Sequence, residues 1–194
     1  SKKMTEYISN KLGLNLKRAK ELQTNYFHKY NTSLNGLMIH HKINPDEFLK
    51  KVHDIDLSFM KKDIVLRKEL EKLNLKKFIF TNGSKEHAIN ITTHLGINDL
   101  FDGLFDIVDA EFSPKPTAKA FDLMVKKFKI DPHETLYIED IAKNLSIGKE
   151  RGAITVWLIN DEYWGKKESD KEFIDYKIEN LSLFLKEIRL LQNS

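Results

Sequence analysis

Residues 76–83 read KKFIFTNG, and this stretch decides the fold. A short apolar run, Phe78-Ile79-Phe80, ends in Thr81-Asn82-Gly83, and a helical pattern begins at once. That order, strand then tight turn then helix, is the start of a parallel βα unit. Two signals follow downstream. Lys115 stands in SPKPTAKAF at 113–121, and Glu139-Asp140 closes a second apolar run, TLYIED, at 135–140. In open parallel sheets, ligands bind beyond the carboxyl ends of the strands. A strand-end hydroxyl, a loop ammonium and a strand-end acidic pair in this order imply a phosphoryl-transfer site.

Working outward, helices at 63–73, 86–95, 117–128, 144–151 and 181–191 alternate with apolar runs at 78–80, 104–108, 136–138, 154–159 and 176–178. Short unbroken apolar runs between helices imply an α/β fold, with a parallel sheet covered on both faces. Residues 1–58 differ, because only helical spacing is found there. Met4, Ile8 and Leu12 recur on one face and stop at Gly13; Leu16, Ala19, Leu22, Tyr26 and Tyr30 make a second stripe. Asn35-Gly36 reads as a turn before a short helix at 37–41, and Asn44-Pro45 opens another helix. Residues 161–171 form a charged loop in which Tyr163 and Trp164 are available for packing or for a partner.

The 194 residues suit one domain, or one domain with a small insert. Lysines are interleaved with acids at a net charge of +3, the pattern of a solvated surface and not of a nucleic-acid patch. There is no cysteine, which excludes disulfides and thiolate chemistry and fits a cytoplasmic protein. No apolar run approaches the ~20 residues of a membrane span.

Each chemical signal also has a plain structural reading. The Thr81 hydroxyl and the amides of Asn82 and Gly83 suit a phosphate at a helix N-terminus, or are simply a capped turn. Lys115 lies between Pro114 and Pro116, which restrict the loop backbone. It is a fixed phosphate-binding ammonium or a surface lysine in a stiff turn. Glu139 and Asp140 are magnesium ligands, since Mg²⁺ takes oxygen donors, or they cap the next helix. Three such signals in one order at strand ends favour the functional reading.

At these residues the chain resembles the haloacid dehalogenase-like hydrolases, and within them the pyrimidine 5′-nucleotidase-like branch. Besides FTNG, the Lys115 loop and EDIAKNL, the resemblance lies in YNTSLNGLMIHHKI at 30–43, NPDEFLKKVHDID at 44–56 and HLGINDLFDGLFDI at 94–107. It implies a Rossmann-like core over 59–194 with a helical cap over 1–58. It also implies a magnesium-dependent phosphomonoesterase that works through an aspartyl-phosphate, with nucleoside 5′-monophosphates or similar small phosphates as substrates. Thr81 would bind the phosphoryl group with Asn82 and Gly83, Lys115 would steady nucleophile and phosphate, and Asp140 with Glu139 would hold Mg²⁺. Tyr26, Tyr30, His40 and His41 are the cap residues expected to contact substrate.

The family's nucleophilic aspartate, two residues before a second aspartate, belongs at the end of a central first strand preceding the cap. Asp54-Ile55-Asp56 has that spacing, but follows a helical pattern and reads as a hinge. The chain opens on Ser1, and an upstream segment of ~25–30 residues, the length of a strand, a loop and the start of a helix, is expected to carry the missing strand. The alternatives are a phosphate- or metal-binding module without turnover, and a metal-independent dehalogenase.

Overall fold

A computed structural model describes residues 2–192, apart from the side chains of Tyr163 and Trp164, so the expectation for those two side chains falls outside the described residues. Four helices come first: α1 (Lys2–Leu12), α2 (Leu16–Tyr30), α3 (Ser33–His41) and α4 (Pro45–His53). Their ends follow from local chemistry. Asn15, Thr32 and Asn44 accept the backbone N–H of Arg18, Asn35 and Glu47 respectively, satisfying donors that the first helical turn leaves free. The chain leaves α1 at Gly13, whose φ of 64° lies in the left-handed region.

Asn35-Gly36 does not form the expected turn. Both residues lie inside α3. The reason is tertiary: Tyr26 of α2 lies against residue 36, where an added Cβ would sit 2.4 Å from Tyr26 Cγ. Glycine lets the two helices close, and that packing overrides the local turn preference. The buried side chains Ile8, Ala19, Leu37, Phe48 and Val52 form one apolar cluster, which also takes in Ile107.

The remainder alternates: α5 (Ile64–Lys72), β1 (Phe78–Phe80), α6 (Lys85–Leu95), β2 (Gly103–Phe105), α7 (Ala118–Phe128), β3 (Leu136–Glu139), α8 (Leu145–Glu150), β4 (Ile154–Leu158), α9 (Tyr163–Lys166), β5 (Tyr176–Ile178) and α10 (Leu181–Gln192). β1 pairs with β2 in parallel, Phe80 opposite Phe105. β3, β4 and β5 make a second parallel sheet in that order, with Glu139 opposite Trp157. β2 stops short of the expected 104–108 because Asp106 curls the chain: its Oδ1 accepts the N–H groups of Val108 and Asp109 at 3.0 and 2.8 Å.

Among the described residues no ladder joins the two sheets, so β1 and β3 each keep one unpaired edge. This explains why Phe78, Ile79 and Phe80 are only partly buried, although an unbroken apolar strand is expected to be covered on both faces. The sheets are linked by side chains. The Phe80 and Tyr137 rings stack with centroids 6.2 Å apart, and Phe105, Phe121, Met124 and Trp157 fill the core around them. A smaller cluster of Leu70, Leu73, Ile97 and Leu185 packs α5 against α10, beside an ion pair in which Arg189 donates to the buried Glu69 at 2.9 Å.

Candidate active site

Lys115 is the centre of the site. A long cationic side chain is seldom fully buried, yet this one is 6% exposed. Its Nζ donates to the Phe80 carbonyl at the end of β1, at 2.7 Å, and to Glu139 Oε1 at the end of β3. The ammonium also lies 4.9 Å from the centroid of the Phe80 ring. One cation therefore bridges the carboxyl ends of the two separate sheets. Glu139 is buried too, and the Tyr137 hydroxyl donates to the same Oε1. The Glu139 carboxylate is thus engaged by Lys115 and Tyr137, and of the expected metal pair it serves as the counter-ion of the lysine.

Thr81, Asn82 and Gly83 leave β1 as a tight loop. The Gly83 N–H donates to Thr81 Oγ1 at 2.9 Å, and Asn82 Oδ1 accepts the Lys115 N–H at 2.8 Å. Asn82 thereby ties the hydroxyl loop to the lysine loop. Ser84 caps α6 by accepting the His87 N–H, and Asp106 Oδ2 accepts the Lys85 N–H at 2.8 Å. These bonds aim the start of α6, the electropositive end of the helix, at the end of the sheet that holds Lys115.

Asp140 follows directly. Its carboxyl is open to solvent on one side, while its backbone is held: the carbonyl accepts from Trp157 Nε1 at 3.0 Å and from Asn160 Nδ2 at 2.6 Å. Burial by the surrounding protein, and then the negative charge of Glu139, push its carboxyl above the ordinary range; Lys115 acts the other way. Ionised Asp140 is therefore short of positive charge, and a divalent cation would supply it. Among the described residues no three His, Cys, Asp or Glu side chains form a metal cage.

The helical region meets this end of the core at Phe27, His28 and Asn31. Tyr26, Tyr30, His40 and His41 lie on α2 and α3 and bond among themselves. Tyr26 Oη is 2.9 Å from His41 Nε2, and Tyr30 Oη bonds His40 Nε2. Among the described residues no hydrogen bond or ring contact joins them to Thr81, Lys115 or Asp140. Instead Phe27, His28 and Asn31 face Ile141, Lys143 and Asn144 across a cavity of about 20 Å³. Lys143 Nζ donates to Asn31 Oδ1 at 2.9 Å. Burial, then Lys167 and Lys143, hold the His28 imidazole below its ordinary pKa, so this mouth is electropositive.

A second contact lies behind the Thr81 loop. His53, the last residue of α4, stacks on His87 of α6 with centroids 4.0 Å apart and planes within 7°. Its Nδ1 is 3.0 Å from the Ser84 hydroxyl. This pair borders a cavity of about 610 Å³ that also meets Lys50, Asp54 and Glu86. Asp54 and Asp56 are exposed: Asp54 lies 3.8 Å from Lys3 Nζ, and Asp56 accepts the Ser58 N–H. They lie in the irregular segment that follows α4.

The sequence pattern did not single out His53, His87, Lys143 or Asn160. The histidines and Lys143 carry no local signature, because their partners come from distant elements. Asn160 does carry one, standing just past the β4 apolar run at a strand end.

Comparison with known proteins places this geometry. The family model of haloacid dehalogenase-like hydrolases matches residues 13–152. The chain belongs to that family. Thr81, Lys115, Glu139 and Asp140 of this haloacid dehalogenase-like hydrolase all fall inside the matched span. The chain is 33% identical over 136 residues to phosphate metabolism protein 8 of Saccharomyces cerevisiae, covering 61% of this chain and 42% of the yeast protein. It is 40% identical over 50 residues to D-ribitol-5-phosphate phosphatase of Bacteroides thetaiotaomicron, covering 26% of this chain and 24% of that protein. These matches span less than half the length of either relative. In fold, it is similar to the putative HAD-hydrolase YfnB of Bacillus subtilis bound to magnesium, with a TM-score of 0.57 at 16% identity over 97% of this chain and 89% of that one. No helix among the described residues is long and apolar enough to cross a membrane.

Proposed function

We propose that this haloacid dehalogenase-like hydrolase is a magnesium-dependent phosphomonoesterase acting on small phosphorylated substrates, with nucleoside 5′-monophosphates as the first class to test. The observation that carries the reading is the buried Lys115 ammonium between the Phe80 carbonyl and Glu139, with Thr81 and Asp140 at the same sheet end. A cation held there without freedom to move costs little reorganisation when phosphoryl charge develops. The phosphatase among the relatives and the magnesium-bound neighbour favour the same chemistry.

In this reading the Thr81 hydroxyl and the amides at the start of α6 hold the phosphoryl oxygens. Lys115 neutralises charge on the phosphoryl group and on an attacking aspartate carboxylate, which enters between the facing edges of β1 and β3. Asp140 holds Mg²⁺, which when bound would supply Lewis-acid stabilisation of the phosphoryl oxygens. Glu139 holds Lys115 in place. The positive charges of Lys143 and Lys167 at this mouth draw an anionic substrate toward the strand ends. The 1–58 helices act as a cap over this mouth, with Phe27 and Asn31 nearest to it.

Phosphate release from nucleoside 5′-monophosphates by the full-length protein should require Mg²⁺ and collapse in Asp140→Asn. Unchanged turnover in that variant rejects the metal assignment. Turnover that survives chelation of all divalent cations would move the reading to a metal-independent dehalogenase.

A further inference from the structure

We infer that Asn160 is a positioning residue for the Asp140 carboxylate, seconded by the Trp157 indole; the inference rests on Asp140 holding the cation, as proposed above. The Asp140 carbonyl has two acceptor lone pairs. Both are addressed by fixed donors, Asn160 Nδ2 at 2.6 Å and Trp157 Nε1 at 3.0 Å. With its carbonyl so held, the peptide plane at Asp140 cannot rotate freely, and the direction of its side chain is set from behind.

The Asn160 amide has one consistent orientation. Its Oδ1 accepts the Glu162 N–H at 3.0 Å while its Nδ2 donates to Asp140. A flipped amide would oppose two acceptors on one side and two donors on the other. The amide also packs flat on Gly165 of α9, where an added Cβ would lie 2.4 Å from Oδ1 and 2.6 Å from Nδ2. Gly165 is buried, so the close approach has no room for a side chain. The first part of the charged loop is thus built onto a single amide, and that amide serves Asp140, which is exposed to solvent.

Trp157 supports the bond from the other side. It is 5% exposed, sits in the core with Phe121 and Tyr137, and lies opposite Glu139 in the β3–β4 ladder. Its N–H is therefore rigidly placed. Partners that orient a metal ligand in this indirect way commonly change metal affinity by about 10- to 100-fold when removed.

The test is a Mg²⁺ titration of the full-length protein, read by calorimetry and by Mg²⁺-dependent thermal stabilisation, with protection by inorganic phosphate in metal-free buffer as the second readout. Asn160→Ala removes the donor, Gly165→Ala displaces it while every polar group of the chain is kept, and Trp157→Phe removes the second donor. Mg²⁺ affinity should fall about tenfold or more in the first two variants and less in the third, while phosphate protection stays at the wild-type level. Mg²⁺ affinity within about twofold of wild type in both Asn160→Ala and Gly165→Ala overturns the positioning role alone. Parallel loss of phosphate protection overturns it as well, by making the effect general. A wild-type protein with no response to Mg²⁺ overturns the metal assignment itself, and this inference with it.

Discussion

Acidification should unfasten the contact between α4 and the Thr81 loop before it affects the rest of the molecule. His53 is partly buried, stacked on His87 and bonded to the Ser84 hydroxyl. Burial, and then the neighbouring His87, lower its pKa from 6.5 to about 4; burial alone lowers that of His87. Around the pair, Asp46, Lys50, Lys51 and Asp54 come from the α4 side and Glu86 from α6. None of these carboxylates offsets the desolvation of either ring. The folded state resists a proton that the unfolded chain takes up near pH 6.5. The stabilisation is therefore complete above about pH 6.5 and is lost as pH falls toward 4. A gap of about 2.5 pKa units is worth on the order of 3 kcal/mol, of which about 2 kcal/mol should be gone by about pH 5.

The assay is urea unfolding at several pH values between about 7.5 and 4.5, comparing wild type with His53→Gln, which keeps a polar contact for Ser84 but does not titrate. Wild type should lose about 2 kcal/mol more than the variant between about pH 6.5 and 5. The acids that favour folding act in a lower range. Asp99, held at about 2 by Arg67, and Asp122 and Asp175, lowered by Arg151 and Lys149, lose their contribution only near and below pH 4. Identical pH dependence in the two proteins would refute the argument, because it would mean that His53 takes up its proton in the folded state as easily as in the unfolded chain.

Lys115→Met should leave Glu139 buried without its cation, costing about 3–5 kcal/mol in urea unfolding, and should abolish protection by phosphate. The double variant Lys115→Met with Glu139→Leu should recover much of the stability but none of the phosphate binding, and stability recovery accompanied by binding would contradict the site. Gly36→Ala should cost about 1–3 kcal/mol through overpacking against Tyr26, read as a shift of the thermal midpoint, and a neutral result would mean that α2 and α3 are looser than their contact indicates.

What was legible in the sequence is what rests on local chemistry. Hydrophobic period separated the helices of residues 1–58 from the alternating remainder. Capping residues such as Asn44, Thr117 and Gly96 marked helix ends within one or two residues of the observed ones, because a cap is a bond between neighbours in the chain. The strand-end rule singled out Thr81, Lys115, Glu139 and Asp140, which the structure brings to one end of the sheets. Local reading failed where a distant group decided the outcome. Asn35-Gly36 carries a turn signal, yet is helix because Tyr26 needs the space. Glu139 and Asp140 are adjacent and chemically alike, but only the fold directs one to the buried Lys115 and leaves the other facing solvent. Tyr26, Tyr30, His40 and His41 were candidates by type; only the fold shows that they bond one another across α2 and α3, and that Phe27, His28 and Asn31 face Ile141, Lys143 and Asn144. The stacking of His53 on His87, and the joint hold of Asn160 and Trp157 on Asp140, join elements far apart in the chain. Residue types and spacing determined which groups stand at the strand ends; burial and long-range packing decided which of them are paired, which are charged and which are held in place.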